Sequence, residues 1–100
     1  MNTVSIKSPR PISISEIEKR LSTQWRVDGG NALVVHGQLS RVYIYLERPT
    51  LLYLDYSEVD FVKKIIELIA DDSALLIDNE HDAALPGDQF VARCRTGWIW

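Results

Sequence analysis

Apolar and polar positions along this chain follow two periods, and the switches between them lay out the elements. Thr3 to Lys7 alternates with a period of two, Val4 and Ile6 on one side, until Pro9 and Pro11 stop the run; this predicts a first strand. Ser13 and Glu16 stand three apart as a capping box, with Ile12 and Ile17 placed as a hydrophobic staple, while Ser15 with Glu18 offers a competing register. Ile14, Ile17 and Leu21 follow at helical spacing, opposite Glu16, Glu18, Lys19 and Arg20. The pattern predicts a short helix packed by one narrow face.

Trp25 to Asp28 alternates again, Asp28-Gly29-Gly30-Asn31 is a turn of residues that tolerate positive φ, and Ala32 to His36 is a second β-rich run. After a break over Gly37 to Ser40, Arg41 to Glu47 alternates strictly. Val42, Ile44 and Leu46 take one face, and Arg41, Tyr43, Tyr45 and Glu47 the other. Beyond the Arg48-Pro49-Thr50 turn, Leu51 to Tyr56 predicts a strand with Leu52 and Leu54 on one side and Leu51, Tyr53 and Asp55 on the other. Ser57 with Asp60 marks a second helix start, and Phe61, Val62, Ile65, Ile66, Leu68 and Ile69 cover a wide apolar arc, so this helix is expected to be the buried one. Asp71-Asp72-Ser73 closes it. Ala74 to Asp78 then predicts a short strand, Asn79 to Asp82 a polar turn, Pro86-Gly87 a break and Gln89 to Arg95 a last strand before the tail ending in Trp98 and Trp100.

The order is β, α, four β, α, then two or three β. Hairpins without regular β-α alternation predict an α+β fold: a mainly antiparallel sheet of about six or seven strands with two helices packed on one face. A chain of 100 residues, 46% hydrophobic, is expected to form one domain over 1–100 with a core that needs neither metal nor disulfide. Cys94 is the sole cysteine, so no internal disulfide can form. Met1 to Ile12 has no apolar run of the signal-peptide kind, and no stretch of about 20 apolar residues exists to span a bilayer. A soluble cytoplasmic protein is expected.

Charge changes the picture more than composition does. The net charge is −3, yet residues 1 to 50 carry seven basic and four acidic groups, so the second half is strongly acidic. From Glu67 to Asp88 there are seven carboxylates and no Lys or Arg. Such a stretch repels nucleic acid.

Candidate chemistry is sparse. A nucleophile would have to be Cys94 with His36 or His81, but a strand over Gln89 to Arg95 puts Arg93 and Arg95 on the opposite face from Cys94 and leaves it a small inward residue beside Ala92. Asp78, Glu80 and Asp82 occupy the first, third and fifth positions of a calcium-type loop. No Gly follows at the sixth, however, and Gln89 stands at the twelfth, so a solvated turn accounts for them and no metal or cofactor is expected. Nothing raises a carboxylate pair for acid-base work, and Gly29-Gly30 opens a strand rather than a helix, as a phosphate loop would. The sequence carries no enzyme signal.

Aromatic residues say more. Tyr43 and Tyr45 share the helix-free face, and Tyr53 is placed to lie beside them across the hairpin. Tyrosine is enriched at binding hot spots and is also a good β-former on exposed sheets.

The segment from Leu51 to Trp98, including LLYLDYSEVDFVKKIIELIADDSALLIDNEHDAALPGDQFVARCR, resembles a pattern in small bacterial immunity-type proteins, the antidotes encoded beside toxins. The pattern is a strand, an amphipathic helix, a short strand ending in Asp-Asn and a Pro-Gly-Asp-x-Phe-Val segment. The resemblance implies a non-enzymatic protein that binds a cognate toxin, with no fixed interface to carry over. An acidic surface including Asp71, Asp72, Asp78, Glu80 and Asp82 suits a cationic toxin domain, with Tyr43, Tyr45 and Tyr53 as further contact residues. The alternative is a structural or regulatory subunit that forms homodimers through its tyrosine-bearing face or its Trp98 to Trp100 tail.

Overall fold

In the chain order of the computed structural model, the elements are β1 (Asn2–Lys7), α1 (Ile14–Leu21), β2 (Arg26–Asp28), β3 (Ala32–His36), β4 (Arg41–Arg48), β5 (Leu51–Tyr56), α2 (Val59–Ile69), β6 (Leu76–Asn79), β7 (Leu85–Pro86) and α3 (Gly87–Arg95). The structure describes residues 2–69, 74–79 and 85–95. The strands form one seven-stranded sheet in the order β2-β3-β4-β5-β1-β6-β7, and every neighbouring pair is antiparallel. The fold is therefore α+β, as the pattern predicts, with three helices rather than two.

Strict alternation decides which way the sheet faces. Val4 and Ile6, Leu33 and Val35, Val42 and Ile44, Leu52, Leu54 and Tyr56, and Ile77 all point to one side and are buried. There they meet Ile17 and Leu21 of α1, Phe61, Val62, Ile65, Ile66 and Ile69 of α2, and Phe90 and Val91 of α3 in a single core. The buried arc of α2 matches the arc its sequence presents, whereas α1 buries only Ile17 and Leu21, as a narrow stripe allows.

Helix starts follow the local chemistry at α1 and depart from it at α2. Ser13 is extended (φ −93°, ψ 109°) and its hydroxyl accepts the Glu16 backbone N–H, so it caps α1 as expected. At α2 the helix begins later than a Ser57 cap implies: the Glu58 carbonyl accepts the first helical N–H, from Val62 at 3.2 Å. The segment between β1 and α1 is tied down by the β4–β5 turn, Ser8 donating to the Thr50 carbonyl and Ile12 to the Pro49 carbonyl.

The last element corrects the sequence reading. Gln89 to Arg95 is helical, within α3, where a last strand with Ala92 and Cys94 facing inward is expected. The neighbouring residues Phe90 and Val91 are both buried while Ala92 and Arg93 are exposed, a pattern with helical rather than twofold period. Gln89, Ala92 and Arg93 are good helix formers, and Asp88 sits in the first turn where its charge is favoured. The argument that put Arg93 and Arg95 opposite Cys94 therefore falls; the Cys94 side chain lies outside the described set. Among the described residues no helix is long and apolar enough to cross a membrane.

Two glycines have definite work. Gly30 adopts φ +145° in the β2–β3 turn, a conformation costly for any side chain. Gly37, after β3, is needed for space: a Cβ there would lie 2.6 Å from the Phe61 ring, which is itself packed edge-on against Trp25 at 5.4 Å. Gly37→Ala is therefore expected to destabilise the fold by about 1–3 kcal/mol through overpacking. That corresponds to a drop in melting temperature of roughly 4–8 °C per kcal/mol, read by thermal unfolding. An unchanged melting temperature would show that the ring yields freely.

Candidate functional site

Among the described residues, helices cover one side of the sheet and none covers the other, so the opposite side is an open face, and the strand register arranges it in rows. One row runs Asp28, Val34, Tyr43, Asp55 and Thr3 across five strands. The next runs Ala32, Tyr45, Tyr53, Ser5 and Asp78. These ten positions include three aspartates and three tyrosines but no Lys or Arg. Basic groups lie outside them, Arg26, His36 and Arg41 in the row on one side and Lys7 and Arg48 in the row on the other.

The centre of the face is a fixed group of polar and aromatic atoms. Tyr45 and Tyr53 stand directly opposite in the register and pack edge to face, ring centroids 5.6 Å apart at 86°. Asp55 accepts the Thr3 hydroxyl at 2.8 Å, and it stands one strand and one row from Tyr45, where its charge acts on the phenol. Partial burial pushes the Tyr45 phenol up from its ordinary pKa, and the negative charges of Asp55 and Glu47 act in the same direction. Tyr43, Tyr45, Tyr53, Asp55 and Asp78 are all half-buried, which leaves each within reach of a partner.

At the β2 end, Asp28 Oδ2 lies 2.7 Å from His36 Nε2, and Arg26 is 3.7 Å from the other oxygen. The histidine hydrogen bond is the chief cause that holds the Asp28 carboxyl below its usual range. His36 also lines a cleft of about 570 Å³ with Trp25, Gln38, Leu39, Phe61 and Lys64. Among the described residues that lining has no Ser, Thr or Cys for a His-Asp pair to activate. A smaller pocket of about 250 Å³ lies beside α1, walled mainly by Ile6, Ile12, Ile17, Leu52 and Ile69.

Of the eight contact residues expected from sequence, the structure gathers Tyr43, Tyr45, Tyr53 and Asp78 on one face. Asp71, Asp72, Glu80 and Asp82 lie outside the described residues, as do His81, Trp98 and Trp100. Among the described residues no three His, Cys, Asp or Glu side chains converge as metal ligands would. Asp55, Thr3 and Ser5 are additions to the face that sequence reasoning did not select. The parity of Leu51, Tyr53 and Asp55 already placed Asp55 beside the tyrosines, but Thr3 and Ser5 join them only because β1 pairs with β5.

No protein-family model, curated protein or solved structure matches the chain.

Tyr45 offers a direct check on this geometry. Its folded pKa is raised above the value near 10 that an unfolded tyrosine has, so the stability it contributes is whole below about pH 10 and is lost as pH rises through the folded value. The stability advantage of the wild type over Tyr45→Phe, measured by urea unfolding, is therefore expected to shrink above pH 10. A difference that stays constant to high pH would mean that burial and the Asp55 charge do not hold the phenol protonated.

Proposed function

We propose that this chain is a non-enzymatic immunity-type protein, cytoplasmic, that neutralises a cognate toxin by binding it directly. The observation that carries the reading is the open sheet face, where three half-buried tyrosines stand beside Asp55 and Asp78 with no cation in their two rows. Monomeric proteins seldom leave a preformed aromatic group uncovered without a partner for it, and tyrosine is among the residues that dominate binding energy at interfaces.

Charge supports the same reading. A nuclease-like toxin must be cationic to hold a phosphate backbone, so a carboxylate-bearing surface both attracts it and competes for its cleft. Asp78 ends the Ala32–Tyr45–Tyr53–Ser5 row, and it belongs to the stretch from Glu67 to Asp88 that also supplies Asp71, Asp72, Glu80 and Asp82. From the sequence, those carboxylates are proposed as further toxin contacts. A face of this sign disfavours nucleic acid as the ligand.

Co-expression with the product of the adjacent gene provides the test. A stable complex, together with protection of cells that express the toxin, is the expected outcome. If the neighbouring product is no toxin and expression of this chain protects against none, the reading fails. A chain that sediments as a dimer, with the tyrosines protected in it, would instead favour self-association through the same face.

A further inference from the structure

The central part of the open face is built for one kind of side chain. Tyr45 and Tyr53 present the edge of one ring to the face of the other, and Asp55 lies diagonally from Tyr45, its carboxylate accepting the Thr3 hydroxyl. A carboxylate has about four lone-pair positions, so the Thr3 hydroxyl leaves capacity for further donors. Neither row holds a Lys or Arg to supply them, and Glu47 adds to the negative field at Tyr45. An aromatic surface beside a carboxylate with spare acceptor capacity matches a planar cation, which can stack on a ring while its N–H groups bond the carboxylate.

We infer that the Tyr45–Tyr53–Asp55 group is a receptor for an arginine side chain of the partner protein, with Asp78 at the end of the row receiving a second one. The inference rests on the reading of the open face as the protein-binding surface and adds the chemistry of what it recognises. Arginine fits where lysine does not: the guanidinium is flat, weakly hydrated and presents a fork of donors, whereas an ammonium is a strongly hydrated point charge that cannot stack and bridge at once. The spacing also has a consequence for the partner. Asp55 and Asp78 are two strands and one row apart, roughly 12 Å from the usual sheet spacings, which is close to the reach between residues i and i+4 of an extended segment. Both of those residues project to the same side of an extended chain. The preferred ligand is thus an extended stretch of the partner with two arginines four residues apart.

The experiment uses the full isotopically labelled chain and two blocked peptides, acetyl-Gly-Arg-Gly-Thr-Gly-Arg-Gly-amide and its double-lysine counterpart, followed by NMR titration at low salt. The arginine peptide is expected to shift the signals of Tyr45, Tyr53, Asp55 and Asp78. It should bind several-fold tighter than the lysine peptide and weaken as salt is raised. Asp55→Asn is expected to lose about tenfold in affinity, the size of one charge-assisted hydrogen bond. Tyr45→Phe, which keeps the ring, should retain most of the binding. Melting temperatures of both variants verify that they fold, and Asp78→Asn, which does not touch the Thr3 hydroxyl, repeats the test should Asp55→Asn prove unstable. Equal affinity for the two peptides, shifts centred on the Trp25 cleft instead, or a folded D55N that binds like the wild type would each overturn the inference. Failure here is separable from failure of the antidote reading. A captured toxin indifferent to D55N and D78N removes only the arginine receptor; arginine binding at these residues with no toxin captured removes only the antidote.

Discussion

Pairing of β1 along both its edges, with β5 on one side and β6 on the other, is the interaction on which the rest of the molecule depends. Without it the strands fall into two groups that share no hydrogen bonds, β2 to β5 as a meander and β6 with β7 as a short ribbon. A two-stranded ribbon is at best marginal by itself. With β1 in place, Val4 and Ile6 become central core residues, fully or almost fully buried, each contributing about 1.5–3 kcal/mol of burial. The same six residues carry Thr3 and Ser5 onto the opposite face, beside Asp55 and Tyr53. Core and candidate site are thus two sides of one pairing.

That pairing also marks the boundary of what was legible in the sequence. Everything set by neighbours a few residues away could be read directly: the alternation in β1, β3, β4 and β5, the Ser13 cap, the β2–β3 turn at Gly29-Gly30 and the buried arc of α2. Alternation fixed the face of each residue because the side-chain period of a strand is two. The neighbour of β1 could not be read, since it is chosen among strands some fifty and seventy residues distant by packing that no local window contains. The misassignment of α3 has a related cause, and Leu85–Pro86, read as leading into a break, forms the short strand β7. A run of nine residues that opens with Gly87 after Pro86 and has a single β-branched member supports either period, and contact with α2, β6 and β7 selected the helix.

The candidate face shows the same division at finer grain. Tyr43, Tyr45 and Tyr53 were legible as a group because β4 and β5 form a hairpin, whose register follows from its turn. Asp55 was visible on the right side of its strand but carried no signal of its own. Its significance comes from the Thr3 hydroxyl, which arrives across the non-local pairing, and from the diagonal contact with Tyr45. Sequence charge pointed instead to the run from Glu67 to Asp88, where only Asp78 lies among the described site residues. Counting carboxylates along a chain finds charge density; deciding which carboxylates share a surface requires the register.

A sheet can meet another protein through its edges or through its face, and the edges here are short. β2 has three residues and β7 two, of which Pro86 lacks an N–H, so neither offers the row of main-chain donors and acceptors that strand addition requires. The face has the opposite properties. Its rings are half-buried by their own neighbours, and Tyr45 is further fixed by Tyr53. Ordering them on binding therefore costs little of the side-chain entropy that usually opposes association. Tyrosine also keeps such a face soluble when unoccupied, because each ring carries a hydroxyl that water or a carboxylate can satisfy, where Phe or Leu at the same positions would leave an apolar patch open to aggregation. The central rows thus combine a surface that tolerates water with one already ordered for contact, and the aspartates in them bias that contact toward cationic partners before any ring is touched.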